Sequence, residues 1–175
     1  MSTLFLDRDG VINVRTPGEY VKTPQEFHPT DGLGEAMRLL SPKFGRIIVI
    51  TNQAGVAKGL MTELALHSVH QKLYTFVSEA GGRIDRIYHC PHRSDAGCTC
   101  RKPATGMAWL ALADFTDIDL EDAWMVGDSI SDMEFAQNLG IHAVLIRGKI
   151  EEVAELSKMN IDHQFDSLLE FARWI

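Results

Sequence analysis

The chain has no apolar stretch approaching the roughly 20 residues that a membrane-spanning helix needs. Its start, Met1-Ser2-Thr3, carries no basic segment ahead of an apolar one. These absences argue against a helical membrane protein, and the expectation is a cytoplasmic chain with no membrane partner. Positive charge is also scarce: 17 Lys and Arg against 24 Asp and Glu leave a net charge of −7. Such a balance provides no basic face for a polyanion, so no nucleic-acid partner is expected. Only three cysteines occur, all between positions 90 and 100, so they cannot all pair. Clustering of that kind points away from a disulfide framework and toward a metal. Repeats, low-complexity segments and linkers are lacking as well. With 175 residues, 45% hydrophobic and 23% charged, the reading is one globular domain over 1–175, expected to be monomeric.

What is present is concentrated first at the amino terminus. Thr3-Leu4-Phe5-Leu6 is a short apolar run, and Asp7-Arg8-Asp9-Gly10 follows at once. An apolar run ending in charge predicts a buried strand of a parallel sheet. Ligands of such sheets sit outside the carboxyl ends of the strands. Two carboxylates one residue apart at that end suit metal or phosphate chemistry, and Gly10 allows a sharp turn. Residues 11–30 read as an irregular loop, with 13–21 as a substrate flap.

Further along, Asp31 is expected to cap a helix that turns Leu33, Met37 and Leu40 inward and stops before Pro42. Arg46 to Ile50 is the next predicted strand, with Thr51-Asn52-Gln53 leaving its end. A long helix capped by Thr62 carries Leu66, Val69, Leu73, Phe76 and Val77 at helical spacing. That spacing is read as leaving His67 and His70 to solvent. A third strand is expected from Ile84 to His89. A helix over 105–113 is expected to bury Met107, Leu110 and Ala111, with Trp109 packed. Further strands are read at Asp122 to Val126 and His142 to Ile146, separated by a helix from Ile130 to Gly140. A helix near 151–158, a short edge at 164–165 and a terminal helix complete the chain. The alternation implies a three-layer, doubly wound α/β sheet, mostly parallel.

Asp7, Thr51 and Asp128 each fall at, or within two residues of, a predicted strand end, so three strands deliver polar groups to one rim. A phosphate monoester bound there could be attacked in line by Asp7. Carboxylate and phosphate repel, so a divalent cation is required. Asp7, the Asp9 carbonyl and Asp128 offer oxygen ligands of the kind Mg²⁺ prefers. The Asp9 side chain is then free to act as general acid on the leaving oxygen and as general base on water. That role is expected to need a raised pKa at Asp9, while Asp7 stays ionised. Thr51 and the amides after it can bind phosphoryl oxygens. Lys102 is the candidate cation, and Asp132 is expected to hold Lys102 or a water on the metal.

Cys90, His92, Cys98 and Cys100 place three thiols and one imidazole within eleven residues. Four N/S ligands form the closed set of a structural Zn²⁺, so residues 90–100 read as a zinc-binding loop that positions Arg101 and Lys102.

Asp7-Arg8-Asp9-Gly10, Thr51-Asn52-Gln53, Arg101-Lys102-Pro103 and Gly127-Asp128-Ser129-Ile130-Ser131-Asp132 resemble, in order, the four motifs of the haloacid dehalogenase-like phosphatases. The resemblance implies that fold and a phosphoric monoester hydrolase. It implies Asp7 as nucleophile, Asp9 as acid/base, Asp128 as Mg²⁺ ligand, Thr51 and Lys102 as phosphoryl binders and Arg101 as a substrate contact. Asn52, Gln53, Ser129 and Tyr20 of the flap complete the expected substrate contacts. Where some members carry a lysine after the fourth motif's Asp, this chain has Ser129. The resemblance also supports zinc in the cysteine loop. Its implied substrate is a small phosphorylated sugar, heptose 1,7-bisphosphate at the 7-phosphate, with histidinol phosphate as the alternative. The two differ only in the leaving group. Between Asp9 and Thr51 lie 41 residues, and between Gln53 and Lys102 lie 48. Core elements already occupy both intervals, so no cap domain is expected. A second phosphate would need a further cation, with Arg101, Lys58, Arg93 and Arg147 as candidates. A receiver-type phospho-acceptor domain is the reading outside enzymes. The Asp-x-Asp spacing and the cysteine loop argue against it.

Overall fold

Side-chain alternation along the strands decides the architecture. β1 (Thr3–Leu6) is buried at every position. Leu4 and Leu6 leave it on one side, and Phe5 leaves on the other. β2 (Arg46–Asn52) repeats the split, with Ile47 and Val49 joining Leu4 while Ile48 and Ile50 join Phe5. Strands apolar on both faces need cover on both faces. The computed structural model, which describes residues 2–175, supplies it. α1 (Leu33–Leu40), α2 (Glu63–Glu79) and α6 (Leu168–Trp174) lie on the Leu4 face. α3 (Gly106–Asp114), α4 (Ile130–Leu139) and α5 (Val153–Leu156) lie on the Phe5 face. Phe5 meets Phe135 edge to face at 6.3 Å, and each such fully buried ring contributes about 1.5–3 kcal/mol by burial.

β3 (Arg86–Cys90), β4 (Ala123–Gly127), β5 (His142–Ile146) and β6 (His163–Phe165) complete the sheet. Among the described residues its order is β3-β2-β1-β4-β5-β6, with every pair parallel. The chain therefore builds outward from β1 to β3, then returns to the other flank of β1 for β4. The carboxyl ends of β1 and β4 form the topological switch point where such sheets open a crevice. Both long intervals between motifs are filled by elements of this layered core, and no cap is inserted among the described residues. No described helix is long and apolar enough to cross a membrane.

Local expectations needed four corrections. α1 is capped by Gly32 in the left-handed region, not by the Asp31 side chain. A Cβ on Gly32 would stand 2.6 Å from Leu169 Cδ2, so contact with α6 selects glycine there. α3 buries Met107, Ala108 and Ala111, whereas Trp109 and Leu110 are exposed. β2 runs two residues further than read, which places Thr51 within the strand. The helix expected over 151–158 is a 3-10 turn at Ile150–Glu152 followed by the single turn of α5.

Candidate active site and cysteine loop

The β1–β4 ladder continues one step past Leu6, because the Asp7 amide donates to the Val126 carbonyl at 2.9 Å. That pairing fixes Asp7 at the switch point. Asp7 Oδ1 accepts from Lys102 Nζ at 2.7 Å. The same ammonium donates to the Ile50 carbonyl at 2.8 Å and pairs with Asp132 Oδ1 at 2.6 Å. Burial alone would lower the pKa of Lys102, but Asp132 and Asp7 more than offset it, so the side chain stays charged. The Lys102 backbone is clamped by Asn52 at the end of β2. Asn52 Oδ1 accepts from the Lys102 amide at 3.0 Å, and Nδ2 donates to its carbonyl at 3.1 Å.

Asp128 directly follows β4. Gly10 has φ +100, and a Cβ there would stand 2.1 Å from Asp128 Oδ2, so the first motif can approach the fourth only through glycine. Asp7, Asp128 and Asp132 each offer a carboxylate oxygen within 4.8 Å of the others. Asp132 is already engaged: its Oδ2 accepts from the Asp128 and Ser129 amides at 3.2 and 3.1 Å and from the Ser129 hydroxyl at 2.6 Å. With Lys102 on its other oxygen, Asp132 is the lysine's partner and the N-terminal anchor of α4. Asp7 and Asp128 are left as the acids that could hold a cation. Burial pushes Asp7 up to about 7, against the pull of Lys102, and pushes Asp128 up to about 8, with the Asp7 charge adding to it. Two buried carboxylates that resist ionising together are the donor set a divalent cation satisfies.

Asp9 departs from expectation. Burial would raise its pKa, yet the Arg8 guanidinium and hydrogen bonds from Asn13 and Gln53 outweigh it and hold the carboxyl below its ordinary value. Arg8 Nη2 sits 2.9 and 3.0 Å from the two oxygens, and Asn13 Nδ2 and Gln53 Nε2 donate at 3.0 and 2.7 Å. Gln53 is therefore buried behind Asp9 and Thr51, not presented to a substrate. Ser129 lines the cleft, but its hydroxyl is engaged with Asp132 and Ser131.

The cleft over these groups has a volume of about 550 Å³. Thr51, Tyr20 and Arg101 line it, as does Lys58, whose ammonium lies 5.3 Å from the centre of the Tyr20 ring. Of the other second-phosphate candidates, Arg93 pairs with Asp95 at 3.5 Å and Arg147 with Asp166 at 2.7 Å. Neither lines the cleft among the described residues. Lys22 and Lys149, which the sequence did not single out, do line it. The flap is tied across the cleft, with Arg15 Nη2 donating to Glu151 Oε1 at 2.6 Å.

The reading from sequence also missed Arg8, Asn13 and His70. Arg8 is fully buried, and His70, expected in solvent, is buried as well, whereas His67 is exposed. The signal was available: position 8 continues the 4, 6 alternation toward the α2 face. His70 stands four residues after Leu66 and three before Leu73, on the buried stripe of α2.

β3 ends at Cys90, and Cys90, His92, Cys98 and Cys100 converge within 4.8 Å. Cys90 and Cys100 sulfurs are 2.9 Å apart, each is 3.6 Å from Cys98, and His92 Nδ1 is 3.2 Å from Cys100 and 3.5 Å from Cys90. Burial pushes the Cys90 thiol up to about 12. At Cys98 the same effect is outweighed by the Arg101 amide and the Cys100 thiol, which bring it down to about 6. Gly106 seats the loop on α3, since a Cβ there would lie 2.4 Å from the Thr99 carbonyl oxygen.

A doubly wound parallel sheet that brings an aspartate, a buried lysine and a second aspartate together at its switch point fits a phosphoric monoester hydrolase of the HAD class, and the comparisons with known proteins agree. A HAD-hydrolase-like family model matches residues 99–171. A D-glycero-beta-D-manno-heptose-1,7-bisphosphate 7-phosphatase of Pseudomonas putida is 41% identical over 99% of this chain and 98% of the relative. A D-glycero-alpha-D-manno-heptose-1,7-bisphosphate 7-phosphatase of Mycobacterium tuberculosis is 37% identical over 97% of this chain and 88% of its own. The crystal structure of the D,D-heptose 1,7-bisphosphate phosphatase of B. bronchiseptica, complexed with magnesium and phosphate, superposes with a TM-score of 0.90 at 31% identity. That match covers 99% of this chain and 97% of the other. The chain belongs to the haloacid dehalogenase-like phosphatases, in the heptose-1,7-bisphosphate 7-phosphatase family.

Proposed function

We propose that this chain, as one phosphatase domain, removes the 7-phosphate of D-glycero-D-manno-heptose 1,7-bisphosphate through a phosphoryl group carried briefly on Asp7. The observation that carries the chemistry is the Lys102 ammonium held between Asp7 and Asp132 beside Asp128. Full-length likeness to relatives named as heptose bisphosphate phosphatases supports the substrate.

Asp7, Asp128 and the Asp9 carbonyl would hold Mg²⁺, which supplies charge neutralisation between the nucleophile and the phosphoryl group. Lys102 and Thr51 bind the phosphoryl oxygens, Lys102 countering charge that builds as phosphorus is attacked. An Asp7 oxygen bonds to phosphorus as the bond to the C7 oxygen breaks, and Asp9 delivers its proton to that departing oxygen. Asp9 then takes a proton from water, whose oxygen bonds to phosphorus while the Asp7–phosphorus bond breaks. Inorganic phosphate leaves and both carboxyls return to their starting states. The donors around Asp9 favour its anion, which suits the second half-reaction. In the first half-reaction a proton is taken up as the dianionic substrate binds, and Asp9 releases it again when inorganic phosphate leaves.

Cys90, His92, Cys98 and Cys100 would hold a structural Zn²⁺, a closed set with no place for reacting water. Arg101, Lys58 and Tyr20 are read as sugar and second-phosphate contacts.

Comparing kcat/KM on heptose 1,7-bisphosphate and histidinol phosphate tests the substrate. The heptose ester should be preferred by at least about a hundredfold, equivalent to roughly 2.7 kcal/mol. Equal rates would overturn the assignment. Asp7→Asn should abolish turnover in a folded protein, and surviving activity would remove Asp7 as nucleophile.

A further inference from the structure

The largest side chain sealed from solvent among the described residues is a guanidinium, Arg8. A buried cation persists only when its N–H groups are matched. Nε and Nη2 are taken by Asp9, at 3.2 Å and at 2.9 and 3.0 Å. Nη1 points instead at His70 Nε2, 3.1 Å away on α2. A guanidinium can only donate, so His70 Nε2 must accept and its proton must sit on Nδ1. A neutral ring fits these surroundings, because burial and the Arg8 charge push the pKa of His70 down to about 3. Behind it the His89 ring lies 5.7 Å away, and His89 Nε2 is 2.9 Å from Glu63 Oε2.

We infer that Arg8 and His70 are positioning residues for proton transfer by Asp9. Arg8 fixes the plane of the carboxylate, and His70 fixes the rotation of Arg8. The inference rests on the acid/base reading of Asp9 above. Asp9 stands on the turn after β1 with its side chain 28% exposed, its oxygens held by Asn13 and Gln53 as well as by Arg8. A two-pronged pair to one guanidinium fixes both oxygens at once. A turn of the guanidinium would pull the carboxylate away from its Asn13 and Gln53 donors. The His70 acceptor on its third nitrogen opposes that turn. Because a displacement near 1 Å can cost about a hundredfold in rate, a histidine outside all four motifs controls a proton transfer it never touches.

The test uses the Mg²⁺-loaded enzyme and two phosphate esters. One is heptose 1,7-bisphosphate, whose alkoxide must be protonated as it leaves. The other is p-nitrophenyl phosphate, whose phenolate leaves without a proton. kcat/KM reports only events up to transfer of the phosphoryl group to Asp7, so the later base step does not enter. His70→Asn reaches the Nδ1 position but has no atom at Nε2, whereas His70→Gln restores an acceptor oxygen there. His70→Asn should lower kcat/KM on the sugar ester by about ten- to hundredfold and leave p-nitrophenyl phosphate within about threefold, with His70→Gln recovering most of the loss. Equal losses on the two esters, no loss on either, or a Gln variant as poor as Asn would overturn the inference. Asp9→Asn is measured alongside. If it spares the sugar ester, the acid/base reading of Asp9 fails. If it slows that ester and His70→Asn does not, the positioning inference alone fails.

Discussion

An ammonium sealed between Asp7 and Asp132 neutralises one of the acids that meet where β1 and β4 end. Lys102→Met would leave both carboxylates buried without a counter-charge. Removing one partner of such a pair costs about 3–5 kcal/mol. Urea unfolding should show that loss in the Mg²⁺-free protein, together with turnover reduced at least about a thousandfold; a variant that keeps either property would contradict the arrangement. A second consequence concerns pH. In the folded chain Asp7 and Asp128 keep their protons to about 7 and about 8, against 3.8 for each when unperturbed. The folded state thus binds more protons than the unfolded state between these values. Their contribution to stability is full below pH 3.8 and is lost as pH rises through about 7 to 8. Mg²⁺ competes with those protons. The rise in melting temperature on adding saturating Mg²⁺ should therefore be larger near pH 8 than near pH 5.5, and equal rises would refute the assigned ionisation. Much at this scale was legible in the sequence, because acids at strand ends are conspicuous. Gln53, Asn52 and Ser129 were read as substrate groups because their positions, not their partners, were visible. Gln53 turns instead to Asp9, whereas Asn52 and Ser129 line the cleft while also holding the Lys102 backbone and Asp132.

Two elements meet closely at this site where a side chain is missing. Gly10 lets the turn after β1 lie against Asp128, and a methyl group there would meet Asp128 Oδ2 at 2.1 Å with φ at +100. Gly18 in the flap has φ +78 but open space around its Cβ position. Gly10→Ala should weaken Mg²⁺ binding at least about tenfold and lower stability by more than the ~1–2 kcal/mol of a left-handed residue. Gly18→Ala should show only the backbone cost with Mg²⁺ affinity intact. Isothermal titration on the pair separates the two, and matching Mg²⁺ affinities would rule out crowding of Asp128. Helical spacing predicted α2 and its Thr62 cap correctly, with Thr62 Oγ1 accepting from the Ala65 amide at 3.1 Å. At α1 the spacing placed Leu33, Met37 and Leu40 correctly and only the cap differed, and at α3 it misplaced Leu110. Gly32 is chosen by contact with Leu169, and the alanines of α3 let the sheet come close on a face that leaves Leu110 outside.

Across the whole molecule, the cysteine loop links β3 to α3 and carries Lys102 on its far side, so its integrity should matter more to chemistry than to the sheet. Most of the six strands and of the two apolar layers lies outside residues 90–100, although Cys90 ends β3 and belongs to the core. On the proposed zinc reading, a zinc-selective chelator with Mg²⁺ in excess should lower kcat/KM at least about tenfold while most far-UV dichroism remains, since a displaced binding group costs rate before it costs fold. Unaltered activity, or collapse of the entire dichroism signal, would show the loop to have a different part.

The α/β alternation, the acids at strand ends and the four clustered sulfur and nitrogen ligands were all determined by the sequence, because each depends on residues near one another along the chain. The strand order, the choice of Lys102 rather than a metal-bound water as the partner of Asp132, and the buried line from His70 through Arg8 to Asp9 were decided by tertiary structure. Such contacts join residues far apart along the chain, 62 positions for Arg8 with His70 and 120 for Thr3 of β1 with Ala123 of β4. Whether a polar side chain faces solvent, a ligand or another buried charge depends on what the packed layers bring against it.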